Sequence, residues 1–264
     1  MTLLVGILTA EGVAIATDRQ VSHGAMGQIT VGQAGSKTEV VNGQALYASS
    51  GPISVGQQIC AAVKSLQPRF ASQTSAEAVQ SLQPEIRKIL DPTFETAKKA
   101  MAVMGQNAAL ADVLCSGLLA GKFKDGFHLF DISTQGLCET LSVDRVPFVC
   151  HGSGKQNADP ILRFLWNIYW ATTRQPTLRE AILAGYWTVK IAIELKSPGV
   201  GFTPDVFVLE KAGKDGKHAR ARKVEDDELA PHDEFILAVE NAMREVRNKL
   251  IDSAPALAPG PPTT

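Results

Sequence analysis

Thr2, Asp18, Lys37, the Ser50-Gly51 pair and Ser153 are the residues of this chain whose types and placing could carry a reaction. Thr2 follows Met1 and leads at once into LLVGIL, an apolar run that reads as a buried strand. A threonine hydroxyl is a weak nucleophile without a base. If Met1 is removed, Thr2 brings its own base, a free α-amine whose unperturbed pKa of about 7.7–8.0 lies near a working pH. A frayed polar terminus is the plain alternative. Asp18 closes the next apolar run, GVAIAT, and Lys37 opens a further strand. A confined lysine beside an aspartate keeps its charge and lowers the proton affinity of a neighbouring amine and hydroxyl. A structural ion pair would use the same two residues. Ser50-Gly51 lies between strand and helix, where main-chain N–H groups can point at a developing oxyanion. Ser153, in HGSG, also stands between strand and helix, as an N-cap or as the edge of a site.

The elements that must hold these residues are readable from periodicity. Two strands fill residues 2–17, and VVNGQALYAS reads as a hairpin turning at Asn42-Gly43. Val55, Ile59, Ala62, Val63 and Leu66 recur at helical spacing. Thr74 and Glu77 form a capping-box pattern for a second helix, while Pro84 argues against one straight helix through 74–102. DVLCSGLLAGK, GFHLFDIS and GLCETLSV return to strands. Two more helices follow, the second opened by Thr177 and Glu180. DVFVLE is a strand, and the basic stretch 212–223 reads as a surface turn. EDDELAPHDEF approaches a last helix ending near Leu250, and the Pro-rich tail reads as disordered. The order strands, helices, strands, helices, strand fits two stacked sheets with helices outside each. No glycine fingerprint for a dinucleotide or phosphate loop follows any strand.

Bulk composition narrows the function classes. The chain has 264 residues, 45% hydrophobic and 20% charged, enough for one large domain or two small ones. A net charge of −1 gives no general case for nucleic acid. No apolar run approaches a membrane span, and no secretory leader is read at the start. Cys60, Cys115, Cys138 and Cys150 are far apart in apolar sequence and read as buried thiols of a reducing, cytoplasmic compartment. Neither they nor the five histidines have metal-site spacing, and no cofactor is expected.

With those residues in view, the chain resembles the β-type subunits of the proteasome family, within the N-terminal-nucleophile hydrolases. The nearest branch on this reading is the small bacterial proteasome homologue of betaproteobacteria. TLLVGILTAEGVAIATDR is similar to the family's opening, YASSGPISV to its oxyanion segment, and HGSG to its GSG turn. The resemblance covers about residues 2–210 and implies a four-layer αββα sandwich, α+β in class, of mainly antiparallel sheets. Residues 211–250 would be a C-terminal turn and helical extension, and 251–264 a disordered tail.

The resemblance also implies roles. Thr2 would be the nucleophile, Asp18 and Lys37 its electrostatic partners, and Gly51 the oxyanion N–H. Ser153, with Ser197 and Glu194 from ELKS, would position the amine or water. ELKS departs from the family pattern by a Glu for Asp, and by Pro198 for Gly. Val21, Ser49 and Ile53 would line a modest apolar substrate pocket. The implied activity is a self-compartmentalised threonine peptidase acting on peptides or unfolded proteins, as a homo-oligomer of stacked rings; an ATPase partner is not readable. A catalytically dead subunit and a small-molecule amidohydrolase are the alternatives.

Overall fold

The computed structural model describes residues 2–23, 31–104, 114–144, 146–170, 175–213 and 218–253. The tail expected to be disordered falls at 254–264 outside these, while 251–253 belong to the last helix. Residues Met1–Val224 form one compact unit and Glu225–Thr264 a second.

In the first unit, β1 (Leu4–Leu8) and β2 (Gly12–Thr17) are buried at every position, as the centre of a sheet covered on both faces requires. They sit in a five-stranded sheet with β10 (Phe148–His151), β11 (Asp205–Ala212) and β12 (His218–Lys223), ordered β10-β1-β2-β11-β12. The second sheet is a meander, β5 (Thr38–Val41), β6 (Ala45–Ser50), β7 (Ser116–Phe123), β8 (Gly126–Ile132) and β9 (Cys138–Thr140). All pairings in both sheets are antiparallel. A separate hairpin joins β3 (Gln20–His23) to β4 (Val31–Ala34). The β5–β6 turn places Asn42 and Gly43 at φ 49° and 69°, the left-handed geometry that an Asn-Gly pair favours.

The layers follow from which faces are apolar. Leu4, Ile15, Leu46, Leu118, Leu129 and Leu209 fill the space between the two sheets. The other face of the meander packs under α1 (Ile53–Leu66) and α2 (Ser75–Met104), through Tyr47, Ile59, Val63, Leu82, Ile86 and Phe130. On the opposite side α4 (Leu178–Glu194) lies against β1, β2 and β11, with α3 (Lys155–Tyr169) beside it. The expected αββα sandwich is therefore present. Both bonds of the Thr177–Glu180 capping box are made, as are those between Thr74 and Glu77.

Two readings are corrected. α2 runs through Pro84 and Pro92 as one assigned helix. Both prolines are on its exposed side, so the carbonyls of Gln80 and Lys88 that they orphan belong to exposed residues. Leu82, Ile86 and Leu90, four apart and fully buried, anchor the other side. Residues 218–223, read as part of a surface turn, form β12 instead. Its alternation is Ala219 and Ala221 inward with basic residues between, and alanine is too small to announce a buried face.

The second unit is α5 (Asp226–Ser253), which begins within the acidic approach and carries three carboxylates in its first turn, where the helix dipole favours them. Among the described residues no helix is long and apolar enough to cross a membrane.

Candidate active site

Thr2 is buried two residues ahead of β1, whose strand pairing begins at Leu4. Its main-chain N–H donates to Ser153 Oγ at 3.3 Å, and the Ser153 hydroxyl donates to the Pro198 carbonyl at 2.8 Å. Gly154 N–H donates to the Thr2 carbonyl at 3.2 Å. Gly152, at φ +89°, passes so close to that carbonyl that a Cβ would collide with it. The HGSG turn thus grips the Thr2 backbone from both polar ends.

Asp18 is the hub. Its Oδ1 accepts Leu3 N–H at 2.8 Å and lies 2.6 Å from Lys37 Nζ. Its Oδ2 accepts Gln20 N–H at 3.0 Å and Gly201 N–H at 3.1 Å. The pair is nearly dry, with side-chain exposures of 6% for Lys37 and 0% for Asp18. Burial pulls the Lys37 ammonium below the usual lysine range, and the charge of Asp18 opposes that fall. Such a cation is costly to bury unless it stays paired. Its value is a fixed positive potential on the cavity that Thr2 also lines.

Gly51 follows β6 at φ +127°, with its α-carbon against the Leu114 carbonyl and Cys115, so no larger residue fits there. No group among the described residues accepts its N–H. Thr2, Lys37 and Gly51 line one cavity of about 190 Å³. Val21, Ser49 and Ile53, expected beside the nucleophile, line it too.

The cavity is less apolar than the sequence suggests. Glu39, Tyr47 and Gln57 also form its walls. The Tyr47 hydroxyl, beside that of Ser49, meets no partner at hydrogen-bonding geometry among the described residues. Burial raises its pKa well above the usual phenol range.

The ELKS residues separate. Ser197 is buried, and its hydroxyl accepts Asn157 Nδ2 at 2.7 Å. Glu194, at the last turn of α4, is exposed and is not among the residues that line the cavity. The helix ends at Glu194 and Lys196, two residues on, turns to φ 51°, so Ser197 is buried while Glu194 stays on the solvent side. Asn157 and Gly201 were not foreseen. Gly201 acts through its main chain, which leaves no side-chain signature, and Asn157 is one polar residue in the first turn of α3.

The four cysteines are buried free thiols. Burial lifts those of Cys115 and Cys138 to about 11 and that of Cys150 to about 12, which keeps them protonated and unreactive near neutral pH.

No protein-family model matches the chain, and no curated protein does. Solved structures do. Anbu (ancestral beta-subunit) from Yersinia bercovieri superimposes with a TM-score of 0.60 at 18% identity, over 97% of this chain and 99% of that one. An Anbu (Gly-1) mutant from Hyphomicrobium sp. strain MC1 gives a TM-score of 0.64 at 15% identity, over 98% and 100%. The fold is that of the N-terminal-nucleophile hydrolases. At these identities the likeness is one of fold. It corrects the placement nearest the betaproteobacterial branch, because these neighbours are Anbu proteins, proteasome-like but distinct.

Proposed function

We propose that this chain is a threonine-type peptidase whose nucleophile is Thr2, freed by removal of Met1. The observation that carries the reading is the dry Lys37–Asp18 pair beside Thr2 at the wall of an open cavity. An ion pair kept only for stability has no need of a cavity or a hydroxyl.

The steps follow from the groups present. The Thr2 amine takes the proton of its own hydroxyl, directly or through water, and Oγ1 attacks a peptide carbonyl. The Gly51 N–H donates to the oxyanion, in a position closed to any side chain at that residue. Collapse expels the leaving amine with the proton and leaves an ester on Thr2. Water, taking the same route, releases the acyl group. Lys37 supplies positive potential that favours a neutral amine. Ser153, already an acceptor for the Thr2 nitrogen, holds that amine in line. Ser197, fixed by Asn157, supports the neighbouring turn.

Peptides or unfolded proteins are the proposed substrates, and stacked homo-oligomeric rings the proposed assembly, since closure would keep such a site from folded proteins. The test is intact mass after incubation with a peptide epoxyketone or β-lactone. One adduct on a chain beginning at Thr2, absent from Thr2→Ala, is expected. A protein that retains Met1 throughout and takes no adduct would sink the reading. Native mass spectrometry of the same material should show a large closed oligomer; a concentration-independent monomer contradicts the assembly.

A further inference from the structure

Resting on the peptidase reading, we propose that the cavity beside Thr2 takes the side chain of a lysine or arginine, with Glu39 as its counter-ion. The register of β5 and β6 sets the walls of the pocket. Ser49 N–H donates to the Lys37 carbonyl at 3.3 Å, and Glu39 lies directly opposite Tyr47. Side chains two apart on a strand share a face. Lys37 with Ser49, then Glu39 with Tyr47, therefore form two successive rungs on the side of the meander that faces α1. Asp18 and Thr2 are at the first rung. The second lies about 7 Å further along the strands.

α1 closes this ladder from above. Ile53, Gly56, Gln57 and Cys60, spaced three, four and seven residues along it, all line the cavity. At Gly56 the helix comes close to β6, so that a Cβ would meet the Ser49 hydroxyl. The mouth carries Val21 and Ile53, and the far rung carries the Glu39 carboxylate. That gradient, apolar first and then acidic, is complementary to a long side chain with a methylene stem and a cationic end. Valine or leucine would stop short of the second rung. A glutamate would bring its charge against Glu39.

Charge bookkeeping agrees. The Lys37 ammonium is already neutralised by Asp18. Among the described residues Glu39 has a loose partner, Lys64 Nζ at 3.7 Å, with both side chains about half exposed at 61% and 47%. Exposed pairs of that kind are weak, so a substrate cation can replace Lys64, which then turns to solvent.

Binding and cleavage test this separately. In Thr2→Ala protein, where no ester can form, N-acetyl-arginine amide should bind at least about fivefold more tightly than N-acetyl-norleucine amide, read by NMR titration. Glu39→Gln should abolish that ratio, Glu39→Lys should invert it, and Lys64→Ala should raise it. Glu39 is largely exposed, so these variants retain the fold. Fluorogenic peptides with arginine before the scissile bond should be cut with a higher kcat/KM than their leucine counterparts. Equal binding of the two amides, or a ratio unmoved by Glu39→Gln, overturns the pocket assignment even if Thr2 acylates normally. A binding ratio that behaves as stated in a protein whose Thr2 never acylates upholds the pocket and fails the peptidase reading.

Discussion

His151 at the end of β10 places Nε2 2.8 Å from Oδ1 of Asp131 on β8, so a polar bridge joins the two sheets at the residue before Gly152. The bridge is mostly shielded from solvent, with side-chain exposures of 13% and 25%. Hydrogen bonds to a charged group contribute about 1.5–3 kcal/mol. His151→Phe should therefore lower the melting temperature by several degrees, at about 2–4 °C per kcal/mol for a chain of this size. Because His151 precedes the turn that grips Thr2, the same variant should slow epoxyketone attachment to the folded protein. A lowered Tm with an unaltered attachment rate would make the bridge a purely structural link.

Lys37→Met separates electrostatics from stability. Removing the cation strands Asp18 in a dry site, so melting alone decides nothing. On protein already shown to be folded and assembled, covalent attachment to Thr2 should fall by at least ~100-fold, the lower end for loss of a positioned electrostatic group. A near-normal rate would leave the pair a structural anchor.

The pH profile of attachment should show an alkaline decline set by Lys37. The ammonium is charged below its pKa, and burial places that pKa lower than the 10.5 of a free lysine. Activity should accordingly drop before pH reaches that value. Asp18→Asn, which removes the group opposing the fall, should move the decline lower still. Stability runs the other way in this window: the unfolded chain binds more protons, so raising pH favours the fold. A decline at or above the free-lysine value, unmoved by Asp18→Asn, would assign it to another group.

Gly152 and Gly126 provide a matched pair. Both have positive φ, +89° and +127°, and alanine is strained at either by about 1–3 kcal/mol. A Cβ at Gly126 meets nothing within 4 Å, whereas at Gly152 it collides with the Thr2 carbonyl. Gly126→Ala should cost stability and leave the attachment rate intact. Gly152→Ala should cost both, and equal rates in the two variants would detach the HGSG turn from the site.

What could be read from the chain beforehand was what side chains and short spacings encode. Thr2, Asp18 and Lys37 sit at the ends of apolar runs, and Ile53 opens a helix whose period is plain. Glu39 and Tyr47 were invisible as partners, since strand register exists only once β5 and β6 pair. Gly201 contributes an N–H, which every residue but proline has. Glu194 and Ser197 were joined by the family resemblance alone, and one left-handed residue between them, Lys196, sends them to opposite sides. β12 was missed because alanine alternating with arginine resembles a solvated loop.

The four donors to Asp18 come from residues 3, 20, 37 and 201, and the last closes over a separation of 183 positions. A ribosome therefore releases the nucleophile long before it releases the final donor to the carboxylate that organises the site. On the peptidase reading, the growing chain is latent by topology. Its cutting power arrives with completion of the fold.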